Sequence, residues 1–366
     1  MREYLLVFVV AAVITYAATP FVRWLALATG AITAVRDRDI HTHPIPRLGG
    51  VAMLLGFVAA LVVATRLPYL SQIFAGGEMM GVLIGALIVC AVGVLDDIRE
   101  LDWLTKLAGQ MLAAGVMAFQ GVQLLSLPLF GVTVLPAPLL VTLTILIVVI
   151  SSNAVNFIDG LDGLAAGVVA IAGLAFFSYA YLLSRTYDPP NVFSSATFIT
   201  AALVGCCVGF LPYNFHPARL FMGDSGSLML GLLLAAATIS MTGNIDPSAQ
   251  LGGNAAVAIL LPIVLPLAIL SLPLLDVLLA VVRRTRAGRR PWNPDAQHLH
   301  HRLLQMGHTH VQAVLLLYLW AAVVALGAVS FAFVGGWLPI VVIVVVAISA
   351  MVLTLWLPRW MPVRRL

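Results

Sequence analysis

MMGVLIGALIVCAVGVLDD, residues 79 to 97, runs from an uncharged, mostly apolar stretch straight into two adjacent carboxylates, Asp96 and Asp97. A helix needs about 20 apolar residues to cross the hydrocarbon core of a bilayer, where only helices and closed barrels satisfy every backbone N–H and C=O. The stretch therefore reads as a membrane helix that stops at a polar surface.

Outward from it, the same pattern recurs along the whole chain. Eleven candidate spans lie near 4–22, 48–66, 79–95, 106–122, 135–151, 164–183, 194–211, 226–242, 256–282, 312–334 and 337–357. Hydrophobic residues make up 62% of the 366 positions and charged residues only 9%, against roughly 25% charged in a soluble domain. The first stretch has the look of a signal-peptide core, but acidic Glu3 precedes it and ten more spans follow, so it reads as retained. The expected fold is all-α: one polytopic membrane domain over residues 1–366, with about eleven transmembrane helices and no internal repeat of fixed period.

Eleven spans put the termini on opposite sides of the membrane. With the N-terminus outside and the C-terminus cytoplasmic, Arg2, Arg66 and Arg185 are the outer basic residues, leaving sixteen of the nineteen Lys and Arg on the cytoplasmic face, as the positive-inside rule requires. The net charge of +4 is thus accounted for by inner-face residues near anionic lipid, such as Arg283, Arg284, Arg286, Arg289 and Arg290, with no need for a nucleic-acid partner. Cys90, Cys206 and Cys207 all fall within apolar stretches, where a free thiol behaves as a small hydrophobe, and they form neither a disulfide framework nor a zinc pattern.

The acidic residues share the bias. Glu3, Glu78, Asp188 and Asp246 fall outside, leaving eleven of fifteen at or near the cytoplasmic face, ten of them gathered into five loops. The first, Arg36 to Gly50, is stiffened by Pro44 and Pro46 and ends in Gly49-Gly50, a pair that permits close backbone approach. In the second, Asp96-Asp97 repel each other and oppose the dipole at a helix C-terminus, so a metal or proton-transfer role explains them better than local stability does. Lys106 closes that loop.

The third loop, NAVNFIDGLDG (153–163), carries Asn153, Asn156, Asp159 and Asp162 at every third position. In helical or near-helical backbone that spacing keeps four oxygen-bearing side chains on one slowly rotating face, suited to Mg²⁺ and phosphate; helix capping would explain one or two of them. In the fourth, Gly223 and Gly226 flank Asp224 and Ser225, exposing backbone N–H groups that receive an anion or a metal-bound phosphate at a helix start. The fifth carries His298, His300, His301 and Arg302; if it is helical, His298, His301 and Arg302 share a face. One histidine box is too few for a desaturase-like iron centre, and the pairs His41/His43 and His308/His310 lack carboxylates in a ligand-like pattern. Hydrogen bonding to phosphate is the better reading. Asp276, inside the ninth span, should face the protein interior and have a partner.

Acidic oxygen ligands, anion-receiving glycines and Lys and Arg at one membrane face, with no nucleotide P-loop and no Ser-His-Asp set, fit Mg²⁺-assisted transfer of a phosphate group to a lipid phosphate entering sideways. The five motifs Pro46-Arg-Leu-Gly-Gly50, Asp96-Asp97, Asn153 to Gly163, Phe221-Met-Gly-Asp-Ser-Gly-Ser227 and His298-Leu-His-His-Arg302 together resemble the polyprenyl-phosphate N-acetylhexosamine-1-phosphate transferases over nearly the whole chain.

The resemblance implies a cytoplasmic active-site cleft in a bacterial plasma membrane protein, Mg²⁺ with Mn²⁺ as the alternative ion, UDP-GlcNAc as donor, a polyprenyl phosphate of undecaprenyl or decaprenyl type as acceptor, and a homodimer as a family-level expectation. By motif, Asn156 and Asp224 match metal positions. Lys106 and Arg302 match positions near the pyrophosphate, and Phe221 matches a residue packed on uracil. Asn153, Asp162, His298, His300 and His301 join the substrate-binding set. Asp96 or Asp97 matches the carboxylate that activates the lipid phosphate, with Asp159 in the same catalytic set. The sequence leaves open direct attack by the lipid phosphate or a covalent aspartyl intermediate. The His-Leu-His-His-Arg order resembles the GlcNAc-1-phosphate branch; the phospho-MurNAc-pentapeptide branch is the alternative. One departure is Asp39, where relatives carry a basic residue before the histidine. A secondary transporter, the reading from another class, would place its polar residues near the midplane.

Overall fold

The computed structural model describes residues 1–33, 44–124, 135–186, 194–242, 282, 285–286, 299–334 and 336–360. Long runs of Leu, Val, Ala and Ile make their backbone hydrogen bonds internally, and the chain is accordingly a bundle of helices. These are α1 (Arg2–Thr29), α2 (Gly49–Ala64), α3 (Glu78–Arg99), α4 (Trp103–Phe119), α5 (Ala137–Ile158), α6 (Leu164–Thr186), α7 (Ser194–Asn214), α8 (Gly223–Met241), the short α9 (Leu299–Gln305), α10 (His310–Phe333) and α11 (Leu338–Trp360). One antiparallel pairing, Ile32–Thr33 with Ile45–Pro46, ties the end of α1 to the entry of α2.

Eight of these helices are long and apolar enough to cross a membrane, and α2 and α4 are shorter, at 16 and 17 residues. Ten of the eleven expected stretches are helices; the eleventh, 256–282 with Asp276, lies outside the described residues, as do Asp39, His41, His43 and most of the 283–290 arginine cluster. The three cysteines are free and buried in α3 and α7, as expected.

α8 runs through the centre of the bundle, with 89% of its apolar stretch buried, and packs against α2, α3, α5 and α7. α4 bridges α3 and α5; α1 lies along α2 and α7; α6 links α7 to α10, and α11 packs on α10. The α11 stretch is only 11% buried, leaving Val341, Val345, Ile348 and Val352 exposed as for a helix facing lipid.

The expected helix ends are corrected in one consistent way. α3 continues through Asp96 and Asp97, α5 through Asn153 and Asn156, and α8 starts at Gly223, so these polar residues stand on helical turns and not in loops. The apolar run ends where the side chains begin to line a polar cleft, while the helical backbone needs no apolar side chain to continue. Only Asp159 and Asp162 sit in a true turn, between α5 and α6.

Candidate active site

The start of α8 is the organising point. The Gly49 N–H donates to the Phe221 carbonyl and the Gly50 N–H to that of Met222, each at 3.0 Å, while the Phe221 N–H donates to the Pro46 carbonyl at 2.9 Å. The Pro46–Gly50 motif is thereby sewn to the chain entering α8. Close approach is what the glycines provide: a Cβ on Gly50 would collide with the Ser225 and Gly226 backbone, and one on Gly93 of α3 with that of Asp224 and Ser225.

At this junction the Asp97 carboxylate accepts the N–H groups of Asp224 at 3.0 Å and Ser225 at 3.3 Å. Asp97 is 6% exposed. Two expectations change together. The α8 N-terminus does receive an anion, but the anion it receives is the chain's own Asp97. Nor is that carboxylate without a structural reason, because what is unfavourable at the C-terminus of α3 is favourable at the N-terminus of α8. Its neighbour Asp96 accepts the Leu101 N–H at 2.7 Å through Oδ1, closing the turn after α3.

Lys106 Nζ lies 3.1 Å from Asp96 Oδ2 and 3.1 Å from Asp224 Oδ2. The Asn156 amide nitrogen donates to Asp224 Oδ1 at 2.8 Å and to Ser227 Oγ at 2.9 Å. Four helix ends, from α3, α4, α5 and α8, thus meet around Asp224. Asp159, on the following turn, keeps part of its surface open, yet burial pushes its carboxyl up to about 8, and the charges of Asp224 and Asp97 add to this while Arg47 opposes it.

The donor set fits a divalent cation. Four carboxylates, Asp96, Asp97, Asp159 and Asp224, are gathered near two cations, Lys106 and Arg47, which leaves negative charge in excess. Carboxylate and amide oxygens are the hard ligands Mg²⁺ takes. The Asn156 amide presents its oxygen to the same place after a half-turn.

The remaining expected residues are distributed differently. The Asn153 amide nitrogen donates to buried Gln110 Oε1 at 2.6 Å and to the Val149 carbonyl at 2.8 Å, making a strut between α5 and α4. Asp162 is 2% exposed and turned away from the cluster; its Oδ2 pairs with His216 Nδ1 at 2.8 Å and accepts the Ala218 N–H at 3.0 Å. Phe221 is half-buried with its backbone held on both sides, and Arg302 is exposed on α9. His298 and the side chains of His300 and His301 lie outside the described residues.

Sequence reasoning overlooked Gln110, Ser227, Asn214, His216, Tyr318 and the spatial partners of His310. His216 and Asn214 had a visible signal, as polar residues shortly before the motif that holds Asp224. Asp162, His216 and His310 bring ligand-type atoms within 4.8 Å of one another. Their arrangement argues against a shared metal: the two imidazoles stack at 4.2 Å with planes 15° apart, so their in-plane lone pairs run nearly parallel and do not converge. His310 Nε2 already accepts the Asp162 N–H at 3.1 Å.

Comparison with known proteins places the chain among relatives. Residues 79–242, from the start of α3 through α8, match the model of glycosyl transferase family 4. The chain is 45% identical to the decaprenyl-phosphate N-acetylglucosaminephosphotransferase of Mycolicibacterium smegmatis over 97% of its own length and 88% of the relative's. It is 30% identical to a probable undecaprenyl-phosphate N-acetylglucosaminyl 1-phosphate transferase of Bacillus subtilis, covering 95% and 90%. A phospho-N-acetylmuramoyl-pentapeptide-transferase of Mycobacterium leprae is 31% identical, covering 92% and 99%.

Proposed function

Because the chain belongs to glycosyl transferase family 4, we propose that it transfers GlcNAc-1-phosphate from UDP-GlcNAc to a polyprenyl phosphate, releasing UMP and forming polyprenyl-pyrophosphoryl-GlcNAc. The observation that carries the chemistry is the junction at Asp224, where one lysine and one amide converge on a carboxylate at the end of four helices. The GlcNAc branch is supported by 45% identity to a relative of that name, against 31% for the pentapeptide transferase. Polar chemistry at helix ends, and not at the centre of the bundle, speaks against a transporter.

In this reading Asp224 and Asn156 hold Mg²⁺ or Mn²⁺, which when bound neutralises the pyrophosphate and the leaving UMP. Lys106 is freed from Asp96 and Asp224 to grip phosphate oxygens, and the half-buried Phe221 ring offers a face for uracil. Arg302, exposed on α9, is the further cation this reading assigns to the pyrophosphate. Direct attack by the lipid phosphate is favoured over an aspartyl intermediate, because both Asp97 oxygens are engaged by backbone N–H groups and would have to leave the α8 terminus to act as nucleophiles. The cleft opens to the cytoplasm, with the N-terminus outside, in keeping with the Lys and Arg bias.

The test is a donor panel. Purified protein in lipid nanodiscs with Mg²⁺ should release UMP from UDP-GlcNAc only when polyprenyl phosphate is present, and should discriminate against UDP-GalNAc and UDP-MurNAc-pentapeptide. Absence of lipid-dependent UMP release from every UDP-aminosugar refutes the reading.

A further inference from the structure

The turn from Asp159 to Gly163 is held from outside the carboxylate cluster by contacts that the proposed transfer does not use. Three backbone polar groups of its second half have a side-chain partner from another element. The Asp162 N–H donates to His310 Nε2 at 3.1 Å, the Gly163 N–H donates to Asn214 Oδ1 at 3.1 Å, and the Tyr318 hydroxyl donates to the Gly163 carbonyl. His310 and Tyr318 are both on α10, two turns apart, so one helix grips two successive residues of the turn.

Two further features show that the grip is built in. A Cβ on Gly167 of α6 would occupy the Tyr318 ring, so glycine at 167 is what lets that ring lie against α6 and reach the Gly163 carbonyl. Gly163 itself has φ +77°, a left-handed conformation that glycine adopts at no steric cost and other residues rarely do. On the far side, the His310 ring stacks on His216, whose Nδ1 is paired with the Asp162 carboxylate. The turn is thereby clamped between α10 and the segment leading to Phe221 and Asp224.

We propose that His310 and Tyr318 are positioning residues for the Asp159–Gly163 turn, setting where Asp159 stands relative to Asp97 and Asp224. The proposal deepens the phosphotransferase reading and rests on it for its catalytic consequence. Neither residue touches substrate. Their effect is on the orientation of a reacting group, and small misplacements of such groups are costly to turnover.

Four variants test it in nanodiscs: Tyr318→Phe, Gly167→Ala, His310→Ala and His310→Gln. Gly167→Ala pushes the Tyr318 ring and hydroxyl off the Gly163 carbonyl without removing the hydroxyl from the side chain, and favours the α6 helix. His310→Gln keeps an acceptor for the Asp162 N–H. The first three should lower kcat by about tenfold or more, with KM for UDP-GlcNAc held within about twofold. Amide exchange over residues 160–164 should quicken while the thermal midpoint holds. His310→Gln should recover most of the lost kcat. The proposal is overturned by unchanged kcat in an active protein, by losses that only follow the thermal midpoint, by unaltered exchange in the turn, or by His310→Gln being as poor as His310→Ala. If the unsubstituted protein turns over no UDP-aminosugar, the phosphotransferase reading fails separately, and exchange alone decides: faster exchange in the variants supports the clamp, and unchanged exchange overturns it.

Discussion

Replacing Asp97 with asparagine separates its two roles, as the cap of α8 and as a participant in the transfer. The aspartate accepts two backbone N–H groups at 3.0 and 3.3 Å at the N-terminus of a nearly fully buried helix. Asparagine keeps the shape, but one end becomes an amide NH₂ facing an N–H donor. A hydrogen bond to a charged group is worth about 1.5 to 3 kcal/mol. A carboxylate at a partly buried helix N-terminus adds up to about 2 kcal/mol of dipole interaction. The dehydration cost relieved by neutralising a buried charge offsets part of this, so the net loss should be about 2 to 3 kcal/mol. On the per-residue unfolding entropy of globular proteins that is a fall of roughly 3 to 4 °C in the thermal midpoint. Thermal unfolding of the detergent-purified variant, with lipid-dependent UMP release measured on the same sample, reads both roles. Abolished turnover with an unchanged midpoint would refute the capping argument and return Asp97 to a purely chemical part, the covalent mechanism included.

Asp224→Asn should reduce UMP release by about a hundredfold or more and shift the Mg²⁺ activation curve to higher concentration; an unaltered curve removes Asp224 from the cation site. Lys106→Met leaves Asp96 and Asp224 facing each other without their bridging cation, so turnover should fall and the protein should gain more thermal stability from added Mg²⁺ than the unsubstituted chain does, as followed by midpoint shifts across a Mg²⁺ titration; equal shifts in the two proteins contradict the bridge. Asp159 gives a signed pH dependence. Its carboxyl is raised from 3.8 to about 8 in the folded protein, so the folded chain holds that proton more tightly than the unfolded one, and the stability it confers is fully present below 3.8, drains as pH rises, and is gone above about 8. In EDTA, Asp159→Asn should therefore gain on the unsubstituted protein from pH 5 to pH 8 and then run parallel to it; midpoints that stay parallel throughout contradict the shift.

Spans were legible because a long apolar run dictates a helix whatever its neighbours are. Asp224, Lys106 and Asn156, which the fold brings together, were legible as candidates because their polarity stood out against those runs. Helix ends were not, since Asp96 and Asn156 are polar for the sake of the cleft while their backbone remains helical. The cap of α8 by Asp97 and the grip of His310 on Asp162 join residues 127 and 148 positions apart. No local pattern encodes such pairings, and His310 drew notice only beside His308, which in the fold meets the Thr354 carbonyl instead.

The backbone-to-backbone seam at Gly50, Gly93 and Ser225 restricts what the site can become. A side chain can be exchanged where it meets another side chain, but a seam made of main chain offers nothing to exchange. A small molecule that leaned on the backbone at Gly50 and Gly93 would press on a surface where any added side chain collides with the bundle itself, so resistance arising at those glycines would have to cost the cell the protein.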